Sequence, residues 1–413
     1  MFGFAVAAAF ALAGATQARA EAQLLIEAST GKVLHAENAT YPWYPASVTK
    51  IMTAYTTLRA IREGRISFNT LLSVSRNAAA QQPTKMGFKI GTRITLDNAL
   101  KMLMVKSAND MAVTIAEGVG GSIEGFADLM NANASRLGMT QSHFVNPNGL
   151  PAENHVTSAR DLGILARALI REFPESDFYW HIHAIQYGNR VMRNYNSLLD
   201  RYPGADGMKT GFICSSGYNV VATATRNGRR LIAIVLGSYS GAVRAQKAAA
   251  LLERGFNSGG LTWLTPSFGT VDALAPMDAQ PPDLREEMCG GHRRKPPAED
   301  NDEEQQEAST ASANGDTGSA QGFMLSSLRP PNGKFVLGPP VETEAPVKVF
   351  TGPPDHPDAV QVAEPRAKKK KRVAKKDSGE KAESGAKKES GAKAASGPKR
   401  AKHGAKPKVS SAN

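Results

Sequence analysis

Before residue 265 the apolar positions recur with two distinct periods, and after it they recur with none. Gln23-Leu24-Leu25-Ile26 and Lys32-Val33-Leu34-His35 are short apolar runs on either side of Ser29-Thr30-Gly31, the pattern of two strands joined by a turn. Over residues 47–62 the period becomes helical. Ile51, Met52, Tyr55, Leu58 and Ile61 fall on one stripe that stops at Gly64. Thr95 can cap a second helix, with Leu96, Ala99, Leu100, Leu103 and Met104 on one face. Further helices are predicted over 122–138 and 157–170, the latter opened by Ser158 and Asp161 at capping-box spacing.

After Gly204 the period shortens. Residues 208–214, 219–225 and 230–236 read as strands, the last two joined by Asn227-Gly228, a strong hairpin signal between apolar runs. A final helix is predicted over 242–254. Strands at both ends of the segment and helices between them predict an α/β chain of the α+β type. It should be an antiparallel sheet with helices on both faces and a helical subdomain.

Composition divides the chain the same way. Of 24 prolines, 17 lie after Thr265, and an acidic run occupies residues 299–307. Residues 366–413 hold 17 Lys and Arg against four acidic side chains, with Ser-Gly recurring at 378, 384, 390 and 396. Such a stretch has too little apolar surface to fold. The expected organisation is therefore a folded domain over 21–265, a Pro-rich acidic disordered linker over 266–365 and a basic low-complexity tail over 366–413. The formal charge of +12 is misleading, because the chain before residue 366 carries 33 basic and 34 acidic residues. That balance argues against a polyanion-binding domain, and no nucleic-acid partner is expected.

Residues 1–20 are an apolar stretch ending in Ala18-Arg19-Ala20, the pattern of a secretory signal peptide with the mature chain starting at Glu21. The basic residue that usually precedes such a stretch is missing, as it would be if translation began upstream. An exported, periplasmic or cell-envelope protein is expected, and ATP chemistry is not. The sequence has no phosphate-cradling Gly-rich loop, and no cofactor or metal is expected. Two cysteines exclude a disulfide scaffold. Cys214 reads as a small buried residue, and whether it pairs with Cys289 is left open. His181-Ile182-His183 alternates as a strand would, without an evident third metal ligand.

Three short patterns could carry chemistry. Ser47-Val48-Thr49-Lys50 puts a serine and a lysine three residues apart at a helix start, on one face. A serine becomes a nucleophile when a neighbour takes its proton, and a lysine can do so only when neutral. The same spacing recurs at Ser29 and in the tail, and Ser47 also suits a plain N-cap. Ser107-Ala108-Asn109 follows the second helix and by itself reads equally well as a polar loop. Lys209-Thr210-Gly211 occurs once, at the start of a predicted strand. There a cation and a hydroxyl could bind a carboxylate, and the glycine could let a substrate backbone approach the strand edge.

Taken together, the three resemble the motif set of the penicillin-recognising serine enzymes. Their surroundings are similar to the D-alanyl-D-alanine carboxypeptidases, the low-molecular-mass penicillin-binding proteins. The matching segments are Tyr44-Pro45-Ala46-Ser47-Val48-Thr49-Lys50-Ile51-Met52-Thr53, Phe144-Val145-Asn146-Pro147-Asn148-Gly149-Leu150 with His155 and Thr157-Ser158-Ala159-Arg160-Asp161, and Gly204-Ala205-Asp206-Gly207-Met208-Lys209-Thr210-Gly211. The resemblance covers residues 22–256 and implies a β-lactamase/DD-peptidase-like fold. It implies that Ser47 attacks the penultimate D-Ala carbonyl of a peptidoglycan stem peptide, with Lys50 as base and Ser107 passing the proton to the leaving amine. Backbone N–H groups of Ser47 and Phe212 would form the oxyanion hole, and Asn109 would hold the substrate amide. Lys209 and Thr210 would hold the terminal carboxylate, and Lys209 would bias Lys50 toward its neutral form. Arg244 resembles an arginine used near that carboxylate, and reads equally as a solvated charge at a helix start. β-Lactams would be covalent inhibitors.

The chain departs from larger members of this family, which carry a C-terminal β-domain and an anchoring amphipathic helix. Neither pattern is visible, and the basic tail is expected to contact anionic lipid or wall polymers by charge. Competing functions are a DD-endopeptidase that cuts cross-links with the same machinery and, from a different class, a basic-tailed nucleic-acid- or wall-polymer-binding protein. A class A β-lactamase fits less well, since no Glu-x-x-x-Asn is suitably placed in the middle region.

Overall fold

Leu24 and Ile26 lie on one face of the strand Ala22–Glu27 (β1) and Leu25 on the other, and all three are buried. A strand apolar on both faces needs cover on both, and this requirement organises the rest of the chain. The computed structural model describes residues 21–258, 268–291, 337–340 and 344–356. After β1 come Val33–Glu37 (β2), a 3₁₀ turn at Ala46–Thr49 and Lys50–Arg62 (α1). Then follow Leu71–Ser73 (β3), Arg76–Ala80 (α2), Arg93–Thr95 (β4), Leu96–Val105 (α3), Asn109–Gly120 (α4), Ile123–Leu137 (α5) and Ala159–Glu172 (α6). Phe178–His181 (α7), Ala184–Tyr187 (β5), Arg190–Arg193 (β6) and Leu198–Arg201 (α8) lead into Ala205–Ile213 (β7), Gly217–Arg226 (β8), Arg229–Ser238 (β9) and Gly241–Asn257 (α9). Arg285–Cys289 (α10) and Val347–Lys348 (β10) complete the described elements.

The main sheet has the order β2-β1-β9-β8-β7, with every neighbouring pair antiparallel. Leu162, Leu165 and Leu169 of α6 share one apolar cluster with Leu24, Ile26, Val221, Ile232 and Ile234, and α1 and α3–α5 extend that cluster. Ala245, Ala248, Ala249 and Leu252 of α9 pack with Leu25, Val220, Ala222, Ala233 and Val235 on the other face. Full burial of each leucine, isoleucine or valine in these clusters contributes roughly 1.5–3 kcal/mol. The predicted caps at Thr95 and Ser158 are present, each accepting an N–H from three residues on, and Ser122 and Ser240 do the same for α5 and α9. Asn227 and Gly228 both have positive φ, 50° and 75°, as a two-residue hairpin turn requires.

Several expectations are corrected. The helix anticipated from Ser47 starts at Lys50, because Pro45 and the positive φ of Ala46 (51°) bend the chain into a 3₁₀ turn first. Residues 109–120 form α4, which no apolar stripe marked. Met111, Ala112, Val113, Ile115 and Ala116 are all buried, so the helix is apolar around much of its circumference. His181-Ile182-His183 is not a strand: His181 ends α7 against Asp177 (3.1 Å), and His183 bonds Asp200 (2.6 Å).

The stretch 266–365, expected to be unstructured, contains ordered segments. Thr270 bridges to Lys32, Val271 is buried beneath α6, and α10 buries Met288. Cys289 forms a disulfide with Cys214, so Cys214 is not a free core residue. Farther along, β10 pairs in parallel with β5, Val349 N–H donates to Gln186 O (2.9 Å) and Phe350 N–H donates to Asn98 Oδ1 (3.2 Å). Each segment adds only one to three apolar anchors to a core built elsewhere, too few to impose a period on the sequence. The leader 1–20, the acidic run 299–307 and the basic tail 366–413 lie outside the described residues.

Candidate active site

The 3₁₀ turn brings residues three apart almost into register. Ser47 and Lys50 therefore meet directly, with Lys50 Nζ 2.9 Å from Ser47 Oγ. Lys50 is wholly buried, and its amine also donates to Asn109 Oδ1 (2.8 Å) and to the main-chain oxygen of Asn148 (2.7 Å). These two oxygens can only accept. A neutral amine can serve both with its two hydrogens and turn its lone pair to the Ser47 hydroxyl.

The 146–150 turn that offers the Asn148 oxygen is itself tightly bound. Asn146 Oδ1 accepts from Asn148 N–H (3.3 Å) and Gly149 N–H (2.7 Å), and Thr53 Oγ1 donates to Pro147 O (2.6 Å). Gly149 has φ 82°, and a Cβ there would fall 1.8 Å from Ala46 O. Only glycine lets this turn close on the nucleophile turn. Beneath it His155 accepts from Val145 N–H at Nδ1 (2.9 Å), so its Nε2–H donates to Thr49 Oγ1 (2.9 Å). Burial, with smaller contributions from His143 and Lys50, pushes the His155 pKa down to about 3.

Ser107 and Ala108 link α3 to α4, with Ser107 at φ 58°, and Asn109 is the first residue of α4. Among the described residues the buried Ser107 Oγ has no hydrogen-bond partner, an unusual state for a hydroxyl in a folded protein. Residues 81–84 buttress this corner. Asn109 Nδ2 donates to Gln82 O (2.9 Å), Asn148 Nδ2 to Gln81 Oε1 (2.9 Å) and Thr84 Oγ1 to Ser107 O (3.0 Å).

The third pattern lies on β7, an edge strand of the sheet. A Cβ on Gly211 would fall 2.6 Å from Ser47 N and 2.9 Å from Val48 N, so this strand runs against the nucleophile turn. Lys209 and Thr210 are buried. Lys209 Nζ donates to Thr210 O (3.2 Å), and Thr210 Oγ1 has no hydrogen-bond partner among the described residues. The Phe212 ring packs on Tyr218 (centroids 4.3 Å apart), and the Arg244 guanidinium lies over the same tyrosine (5.7 Å). Arg244 is buried, with bonds to Asn219 O (3.4 Å) and Tyr195 O (3.5 Å), which rules out the solvated helix-start charge.

A serine bonded to a buried lysine, a buried serine hydroxyl two residues before that lysine's asparagine, and a Lys-Thr-Gly strand against the Ser47 turn are thus gathered at one place. The sequence profile of the D-alanyl-D-alanine carboxypeptidases matches residues 9–240. The chain belongs to that family. It is 35% identical over 245 residues to D-alanyl-D-alanine carboxypeptidase DacC of Escherichia coli (strain K12), covering 57% of this chain and 61% of the relative. The chain thus spans less than two thirds of that relative's length. Penicillin-binding protein 6B from Escherichia coli superposes with a TM-score of 0.55 at 34% identity, over 57% of this chain and 77% of that one. Penicillin-binding protein D2 from Listeria monocytogenes, solved in a cefotaxime-bound form, gives a TM-score of 0.53 at 28% identity over 57% and 96%.

Within this carboxypeptidase fold the structure brings Ser47, Lys50 and Asn109 into one hydrogen-bonded group, with Gly211 at its edge. Ser107 lies two residues before Asn109, while Lys209, Thr210 and Phe212 flank Gly211 on β7. Arg244 joins through Asn219 and Tyr218. Two supporting elements carry no signature that spacing could reveal: the 81–84 segment and Asn219. Gly149 and His155 stand in the family's middle segment, but only the folded chain gives them a task.

Proposed function

We propose that the protein is a serine-type D-alanyl-D-alanine carboxypeptidase that removes the terminal D-alanine from peptidoglycan stem pentapeptides through an ester on Ser47. The observation that carries this reading is the buried contact between Lys50 Nζ and Ser47 Oγ, closed by two oxygens that can only accept. In its neutral form the amine keeps a hydrogen for each of these oxygens and can take the serine proton on its lone pair. Ser47 Oγ then attacks the penultimate D-Ala carbonyl. The developing oxyanion sits between the N–H groups of Ser47 and Phe212, where one such donor is worth about 3–4 kcal/mol of barrier. The partnerless Ser107 hydroxyl relays the proton to the departing D-Ala amine. Asn109 holds the substrate amide, and Thr210, Lys209 and Arg244 receive the terminal carboxylate. Water then cleaves the ester and restores Ser47. A β-lactam would acylate the same oxygen and leave slowly.

Residues 1–20 serve export to the periplasm in this reading, and residues 366–413 tether the enzyme to anionic lipid or wall polymers by charge. Each basic residue held near such a surface is worth about 1 kcal/mol, and salt weakens the attraction. No helix among the described residues is long and apolar enough to cross a membrane. The test of activity is mass spectrometry of muropeptides incubated with the full chain and with Ser47→Ala. Loss of one alanine from pentapeptides, absent in the variant, supports the carboxypeptidase. Dimers split to monomers would replace it with an endopeptidase, and no change with either protein would refute both.

A further inference from the structure

We propose that Asn219, on β8, is a positioning residue that fastens the nucleophile turn to the sheet and so sets the rate at which Ser47 is acylated. The β8–β9 ladder shifts register at this position: Tyr218 pairs with Ser238 but Val220 with Val235, so Asn219 alone faces Leu236 and Gly237. Such a bulge takes one backbone N–H out of the ladder. Here that donor is Gly237 N–H (φ 87°), and Asn219 Oδ1 accepts it (3.0 Å). The same amide's Nδ2 donates to both Tyr44 O (3.0 Å) and Pro45 O (3.1 Å), the two carbonyls just ahead of the strained Ala46 (φ 51°) and Ser47. Asn219 is fully buried, and its own carbonyl accepts from Arg244 Nη1 (3.4 Å). In the β7–β8 register it stands opposite Gly211, the residue that lies against Ser47 N–H.

One side chain thus spans β9 and the turn that carries the nucleophile, while its main chain is paired with the strand edge that the substrate would line. Few residue types can replace it. A carboxylate keeps the acceptor for Gly237 but turns an oxygen toward Tyr44 O and Pro45 O, and a serine cannot reach both sides. Loss of the two bonds lets the strained turn relax, which moves Ser47 Oγ and its N–H relative to β7. Displacements of about 1 Å at a reacting centre cost up to roughly a hundredfold in rate.

The inference rests on Ser47 being the acylated serine, and its test separates the two ideas. Full-length wild type, Asn219→Asp, Asn219→Ser and Val235→Ala are mixed with a β-lactam, and intact-mass spectrometry follows the adduct and its site. Rate constants are taken only over the fraction of chains that finally acylates, so misfolded protein does not count. Val235→Ala removes a buried group from the same strand pair without touching the turn, and serves as the control for lost stability. We expect both Asn219 variants to acylate about ten- to a hundredfold more slowly at saturating β-lactam, with an unchanged half-saturation concentration. Val235→Ala should match wild type per competent chain. If the Asn219 variants lose competent chains but keep the wild-type rate constant, Asn219 is merely structural and the inference fails. If Val235→Ala slows as much as they do, it fails equally. If wild type forms no adduct on Ser47, the proposed function fails and takes this inference with it.

Discussion

The nucleophile corner and the ordered segments beyond residue 265 are both parts of the folded unit, yet they are held by different means. At the corner, side chains from α1, α4, β8 and the 146–150 turn converge on main-chain atoms, as in Lys50 to Asn148 O, Thr53 to Pro147 O and Asn219 to Tyr44 O and Pro45 O. The later segments rely on a disulfide, a two-residue strand and a few apolar anchors such as Val271, Met288 and Phe350. A buried hydrogen-bond network fixes positions to fractions of an ångström and penalises any group left unpaired. A cross-link chiefly limits the unfolded chain, and says little about where neighbouring atoms sit. The first arrangement suits chemistry and the second suits attachment.

The sharpest way to break this comparison is at Lys50. Lys50→Met keeps much of the volume and removes the proposed base, and should slow acylation of Ser47 by about 10²–10⁴-fold. Stopped-flow or quenched acylation assays read this directly, and a variant as fast as wild type would remove the corner from the chemistry. Gly149→Ala comes next. Its Cβ would strike Ala46 O, so we expect a loss of about 3 kcal/mol in urea unfolding together with slower acylation, because the same turn carries the Lys50 acceptor. A stability loss with no kinetic change would show that the turn does not transmit position.

Cys289→Ser tests the other region. Removing the bond that spans 75 residues should cost about 2–4 kcal/mol in urea unfolding. Acylation per competent chain should stay within about threefold of wild type, as expected of independent sites. A rate that falls with the bond would show that β7 is tensioned through Cys214, and the contrast between the regions would dissolve.

The smallest effect concerns His155. Its folded-state pKa of about 3 lies below the ordinary histidine value of 6.5. The unfolded chain therefore binds more protons between pH 6.5 and 3, so this contribution is fully present above pH 6.5 and is lost as the pH falls. The loss should reach about 2 kcal/mol by pH 5. In His155→Gln the dependence of urea midpoint on pH across this window should flatten. Parallel profiles for the two proteins would mean that His155 is not buried as a neutral donor to Thr49.

Legibility in the sequence follows the same division. The strands 22–27 and 205–238 and the capped helices were readable because period and caps are local properties, set by φ/ψ preference and by which face meets the core. The three short patterns stood out as a set, although Ser-x-x-Lys and Ser-x-Asn each recur elsewhere in the chain. The α4 helix escaped because a helix buried around most of its surface has no polar face to betray its period. The 268–291 and 344–356 segments escaped because proline-rich flanks look unstructured until a distant groove receives them.

What the sequence alone determined is the inventory: which residues can be nucleophile, base and carboxylate ligand, which segments prefer helix or strand, and where charge accumulates. Those properties belong to side chains and to their near neighbours along the chain. The tertiary structure decided the rest. It brought Ser47 Oγ and Lys50 Nζ together in a 3₁₀ turn, gave Lys50 its two acceptors, set Gly211 against the Ser47 N–H and joined Cys214 to Cys289. Apart from the Ser47–Lys50 pair, these are contacts between residues 59 to 164 positions apart or closed by a covalent bond across 75, and they exist only once burial has excluded water and forced each polar group to find its partner.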